Sequence, residues 1–148
     1  MIERLLEPIA SSQLLTAALL AILFLQSGID KVVDFRGNLQ WLTGHFAKSP
    51  LRSLVTPMLA TILVTECAAG AICATGAVQI AMAGETELAL RGAQLAALNI
   101  VMLFFGQRLA KDYAGAAALV PYFILAIGAV ILMGLGPAGT SGAPSLPS

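Results

Sequence analysis

The chain reads as an all-α integral membrane protein: an antiparallel bundle of four transmembrane helices with an interfacial amphipathic helix in loop one. Three observations predict this. Four apolar segments, residues 14–33, 57–81, 88–106 and 116–134, each approach the roughly 20 residues that cross a hydrocarbon core of about 30 Å. The composition is 58% hydrophobic and only 11% charged, where a soluble domain carries about a quarter charged residues. The connections between the last three segments are short, which makes sequential helices antiparallel neighbours. Inside a bilayer the backbone must satisfy its own hydrogen bonds, so each apolar segment is expected to be a helix.

Taken in order, residues 1–12 begin with Ile2, Leu5, Leu6 and Ile9 at helical spacing, the pattern of a short helix on the membrane surface. Ser11 and Ser12 are candidate caps for the first membrane helix. The start carries two acids, Glu3 and Glu7, against one base, Arg4, and no small-x-small site follows the first apolar run. It therefore reads as a retained helix, since a cleaved signal has a basic start and such a site.

Helix one runs out in Asp30, Lys31 and Asp34. In the loop that follows, Phe35, Leu39, Leu42 and Phe46 fall on one helical face, with Trp41 beside it. Trp favours the headgroup level, so this loop is expected to hold a helix lying in the interface. Ser49-Pro50 and Thr56-Pro57 are both helix-start signals, and helix two is entered or kinked at Pro57. Loop two, residues 82–87, is short and acidic; loop three, residues 107–115, is polar. Pro121 kinks the fourth helix or marks its start. One domain, residues 1–136, accounts for all of this, and the Gly-, Pro- and Ser-rich residues 137–148 read as a disordered tail.

Several function classes fall away. Eight basic and eight acidic residues give no net charge, so nothing points to nucleic acid. No phosphate-binding loop, nucleophile elbow, CxxC or haem-attachment motif is present, and no catalytic residue is assigned. His45 stands alone, which gives neither a metal site nor a bis-His haem, and it reads as an ordinary interfacial residue. Cys67 and Cys73 share helix two but lie about 120° apart around it and about 9 Å along it, too far for a disulfide.

The candidate site begins with Glu66, near the middle of helix two. A charge at mid-bilayer costs at least about 2.5 kcal/mol, so such a residue faces the bundle interior and pairs. Glu66, Gly70, Cys73 and Ala77 form one stripe, small apart from the acid. Gly92, Ala96, Asn99, Leu103 and Gly106 form a matching stripe on helix three, with Asn99 near its middle. The two stripes are expected to pack together, with Asn99 as the partner of Glu66. Glu66 reads either as a proton-linked or ligand-binding acid or as a buried structural glutamate. Asn99 reads as ligand-binding or as interhelical glue. A third group gathers at the face shared by loops one and three: Ser27, Asp30, Lys31 and Asp34 from helix one, and Gln107, Arg108, Lys111, Asp112 and Tyr113 after helix three. These either fix the helix ends or bind a headgroup or an anionic ligand. Lys31, Arg36, Lys48, Arg52, Arg108 and Lys111 lie on that side, against Arg4 and Arg91 on the other, which predicts loops one and three in the cytoplasm and both termini outside.

The run Phe24-Leu25-Gln26-Ser27-Gly28-Ile29-Asp30-Lys31-Val32-Val33-Asp34 and the mid-helix Glu66-Cys67-Ala68-Ala69-Gly70 resemble the DoxX family of small four-helix bacterial membrane proteins. In that family the first helix commonly ends in a Ser-Gly-hydrophobic-x-Lys run, and the second commonly holds a Glu with a Gly four residues on. The likeness covers about residues 12–135; the stretch 106–115 matches no general hallmark of the family. The resemblance implies a bacterial inner-membrane protein, with Ser27, Lys31 and Glu66 as its candidate site. Some members look like membrane subunits of quinone-linked sulfur oxidation, others associate with oxidoreductases in oxidative-stress defence, and many have no assigned activity. The resulting expectation is an accessory or anchoring subunit of a membrane oxidoreductase, without independent catalysis or a covalent cofactor, with a quinone or a lipid as its ligand. The alternatives are a self-contained binding protein or transporter for a lipophilic or protonatable molecule, and a purely structural subunit.

Overall fold

The computed structural model describes residues 1–139, and the expected tail lies mostly outside them. Six helices follow in order: α1 (Ile2–Leu6), α2 (Pro8–Val33), α3 (Phe35–His45), α4 (Val55–Ala83), α5 (Glu87–Leu109) and α6 (Tyr113–Gly134). No strand occurs among the described residues. Four of the helices, α2, α4, α5 and α6, are long and apolar enough to cross a membrane. At about 1.5 Å per residue, α4 with its 29 residues is about 44 Å long, and α6 with its 22 residues is about 33 Å.

The boundaries differ from expectation in instructive ways. The first membrane helix starts at Pro8, six residues before the apolar run. Proline suits a first helical position because its missing N–H would have no partner there. Ser11 and Ser12 therefore lie inside the helix, and each hydroxyl donates back to the Pro8 carbonyl instead of capping. Ser49-Pro50 forms a turn rather than a helix start, and α4 begins at Val55 with Pro57 in its first turn. Pro121 sits within α6, which starts earlier, at Tyr113, where the Asp112 carboxylate accepts the Gly115 N–H. The interfacial helix forms as α3, capped by Asp34. Its Phe46 end is buried and its Trp41 is exposed.

Helices α4 and α5 are the central pair, with α2 packed on α4 and α6 on α5, while α2 and α6 meet only slightly. The core between them is built largely of alanine: Ala21, Ala69, Ala93, Ala96, Ala126 and Ala129 join Leu20, Phe24 and Ile100. Lipid is as apolar as leucine, so membrane helices gain by close approach of small residues rather than by hiding large ones. A Cβ on Gly76 would lie 2.7 Å from the Ala89 Cα, so that crossing of α4 and α5 requires glycine. The small stripe on α4 does not serve α5 alone. Cys73 meets Gly92 of α5 as expected, whereas Gly70 packs against Leu25 of α2, because α4 is sandwiched between two helices. The two cysteines are free, with Cys67 set against Gly28. Large apolar residues such as Leu15, Ile22, Val64, Ile124 and Ile131 point outward, the reverse of a soluble bundle, and contact the bilayer.

At the end holding the N-terminus, polar side chains satisfy carbonyls left open by helix termini. Gln13 donates to the Leu132 and Gly136 carbonyls, buried Thr86 to that of Met133, and Arg4 of α1 to those of Ala81 and Met82. At the opposite end α2 stops at Val33, level with the middle of α4's first half, since Gly28 already stands opposite Cys67. The first turns of α4 run on past α2, and α3 lies across them.

Candidate functional site

Glu66 lies three residues from the midpoint of α4, and its side chain is 3% exposed. Its partner is Lys31. The ammonium Nζ stands 2.9 Å from Oε2 and donates to Oε1 at 3.2 Å. One turn back on α2, the Ser27 hydroxyl accepts a further Lys31 hydrogen bond at 2.8 Å. Ser27 and Lys31 stand four apart on one helical face, which aims both toward α4. The long lysine stem crosses apolar surface while its head reaches the acid. Pairing is what makes a carboxylate tolerable at this depth: an unpaired charge there would carry the full desolvation penalty.

Asn99, fully buried on α5, does not bond Glu66, contrary to the sequence expectation. Its Nδ2 donates to the Thr65 hydroxyl at 2.6 Å and to the Ile62 carbonyl at 3.3 Å. Thr65 is one residue from Glu66 and about 100° further round α4, and the α4–α5 link forms there. The Asn99 Oδ1 is buried without a hydrogen-bond donor, whereas the Glu66 Oε2 has the Lys31 ammonium 2.9 Å away.

Ser27, Glu66 and Asn99 nevertheless share one cavity of about 250 Å³. All four membrane helices line it: Leu23, Phe24 and Ser27 from α2, Glu66 from α4, Asn99, Ile100 and Leu103 from α5, and Leu119 and Tyr122 from α6. It exists because α6 carries buried residues at Ala116 and again from Ala126 onward, but none between. Pro121 lies in that interval, where its missing N–H removes a helical bond and its ring disfavours a straight helix. Tyr122, 45% exposed, forms the cavity's outer edge toward the bilayer.

A second, larger hollow of about 530 Å³ lies beneath α3, between it and the ends of α4 and α5. Its walls are apolar, including Trp41, Phe46, Met58 and Phe105, and Lys31 is its one charged residue. Leu103 lines both hollows, so the Lys31–Glu66 pair stands at the partition between them.

The other charged candidates do not join this site. Asp30 and Lys111 are exposed and make no side-chain bond or ion pair among the described residues. Arg108 lies over the Tyr113 ring, 4.5 Å from its centre. Among the described residues the acids of α2 do not pair with the bases after α5, and Asp34 and Asp112 serve as helix caps. His45 proves more engaged than its isolation in the sequence suggests. It stacks on Trp41 at 4.6 Å, bonds Gln107 at 2.8 Å through Nε2, and stands 3.6 Å from Asp112, fastening α3 to the α5–α6 turn. No group of three or more metal-ligating side chains occurs among the described residues. Thr65 and Tyr122 are the contributors missed in the sequence; only Tyr122, next to Pro121, carried any local signal.

No family model, curated protein or solved structure matches the chain. The site rests on geometry, and that geometry joins Ser27, Lys31 and Glu66.

Proposed function

We propose that this multi-pass membrane protein is a DoxX-like accessory subunit that holds the head of a lipophilic, quinone-type molecule beside Glu66 and anchors a membrane oxidoreductase in the bacterial inner membrane. The observation that carries the ligand reading is the cavity itself. A pocket walled by leucine, isoleucine and aromatic rings, with a few convergent polar groups at its end, is the usual form of a small-molecule site. Here the polar end includes Glu66, buried within a membrane-spanning helix and paired to Lys31 at the partition, and charged residues at such depth mark ligand or proton pathways. At about 250 Å³ the cavity suits one ring, with an isoprenoid tail passing Tyr122 into the lipid.

The anchoring role is suggested by the resemblance of the Ser27–Lys31 and Glu66–Gly70 runs to the DoxX family. Purification from native membranes in mild detergent, with mass spectrometry of proteins and extracted lipids, tests both halves. A stoichiometric oxidoreductase together with a quinone is the expected result. Quinone without a protein partner would leave a self-contained binding protein. If a Glu66→Gln variant copurified the same ligand and partners in the same amounts, Glu66 would be purely structural and the site reading would fail.

A further inference from the structure

We infer that the hollow beneath α3 is a site for one anionic phospholipid, with an acyl chain inside the hollow and the phosphate among the bases of the segment that roofs it. This site is separate from the four-helix cavity and does not depend on the function proposed above.

The hollow, at about 530 Å³, falls within the roughly 300–1,000 Å³ typical of small-molecule sites, and it is twice the size of the four-helix cavity. Its walls include Leu42 of α3, Phe46 just after it, Met58 and Ile62 of α4, and Met102 and Phe105 of α5. Its one charge is already neutralised within the protein: the Lys31 ammonium faces the Ser27 hydroxyl and carbonyl and the Glu66 carboxylate. The polar residues that remain in the lining, Asn38, Thr61 and Gln107, carry no charge. Such walls fit hydrocarbon. Trp41 of α3 is exposed and favours the headgroup level, so the space beneath α3 lies where headgroups give way to acyl chains.

Charge around the hollow selects the headgroup. From Phe35 to Thr65 the chain has no acidic residue, yet it carries Arg36, Lys48 and Arg52. All three are exposed, and none makes a side-chain hydrogen bond or ion pair among the described residues. Arg52 stands between Leu51 and Leu54, which line the hollow, and Lys48 lies two residues beyond Phe46. Bases at the interface attract anionic lipid, each contributing about fivefold in affinity. Orienting the protein in a bilayer needs the bases alone and gives the hollow no use. A phospholipid matches both features, since its chain fits the apolar walls and its phosphate meets the unpaired bases.

Trp41 is the chain's only tryptophan and lines the hollow, so its fluorescence reports what enters. The test places the full-length protein in dioleoylphosphatidylcholine vesicles and adds a rising fraction of brominated dioleoylphosphatidylglycerol, compared with brominated dioleoylphosphatidylcholine. The anionic lipid is expected to quench Trp41 at a mole fraction roughly five- to tenfold lower. Replacing Lys48→Gln and Arg52→Gln together is expected to remove most of that preference. Thr61→Phe narrows the hollow and keeps every base; the Thr61 hydroxyl bonds only the Pro57 carbonyl of its own helix, so no tertiary bond is lost. That variant is expected to lower the preference by about fivefold or more, because an overfilled apolar space no longer accepts the chain. Met58→Phe repeats the measurement at a second lining position, so a folding defect in one variant leaves the other to decide. An unchanged preference in the narrowed variants would mean that lipid gathers around the bases without entering, and would overturn the inference. Equal quenching by the two lipids would overturn it as well. Displacement of the lipid by millimolar glycerol phosphate, which has a headgroup and no chain, would reduce the site to phosphate binding and overturn the role of the hollow.

Discussion

Replacing Lys31 by Met should destabilise the protein far more than replacing Glu66 by Gln, although each change breaks the same ion pair. The two charges differ in what they can do once alone. The Glu66 side chain is 3% exposed near the midpoint of α4, while Lys31 is 21% exposed near the end of α2. At 2.9 Å and an effective dielectric of about 20, their attraction is of order 6 kcal/mol, most of it offsetting the cost of taking both charges out of water. Lys31→Met strands a buried carboxylate, for which about 3–5 kcal/mol is expected. In Glu66→Gln the lysine keeps its bond to Ser27 and can extend toward the headgroups, so the loss is that of a charge-assisted hydrogen bond, about 1.5–3 kcal/mol. The double variant removes both charges and should lie closer to the wild type than Lys31→Met does, giving a coupling of at least about 1 kcal/mol. Reversible unfolding in mixed bicelles with added SDS measures all four proteins. Additive single losses, with coupling under about 0.5 kcal/mol, would show that the pair makes no energetic contact and would refute the account of the site.

Two further predictions concern packing and orientation. Gly76→Ala should cost about 1–3 kcal/mol by the same assay, because the added carbon meets Ala89 of α5, whereas Gly128→Ala, with nothing within 4 Å of the added carbon, should be neutral or gain up to about 1 kcal/mol from helix propensity. Equal effects at the two positions would mean that α4 and α5 do not cross as described. A reporter active only in the cytoplasm should be active when inserted in the loop before α4 and silent at the C-terminus, following the excess of Lys and Arg on the α3 side; the reverse pattern would invert the orientation.

By itself the sequence determined that the protein is a bundle of four membrane-crossing helices with a fifth, interfacial helix in loop one, because the length and polarity of each segment are matched against a bilayer of fixed thickness. It also marked Glu66, since a carboxylate within an apolar helix is costly whatever surrounds it. The small stripes announced close helix contact, but not that Gly70 would meet α2 while Cys73 met α5; a stripe shows that a face is smooth, not which neighbour it receives. Only the tertiary structure decided the partners. Glu66 and Asn99 sit at similar depths on facing helices and looked like a pair, yet Lys31, placed at a helix end by its position in the sequence, reaches Glu66 because α2 stops short alongside α4. Asn99 turns instead to Thr65. His45 reaches Gln107 across 62 residues, a distance no local pattern spans. The cavity is likewise a property of four helices together, opening where the buried face of α6 lapses around Pro121. Hydropathy acts on each segment alone and can be read along the chain. Pairing of buried polar groups depends on the offset and rotation of one helix against another, which packing alone sets.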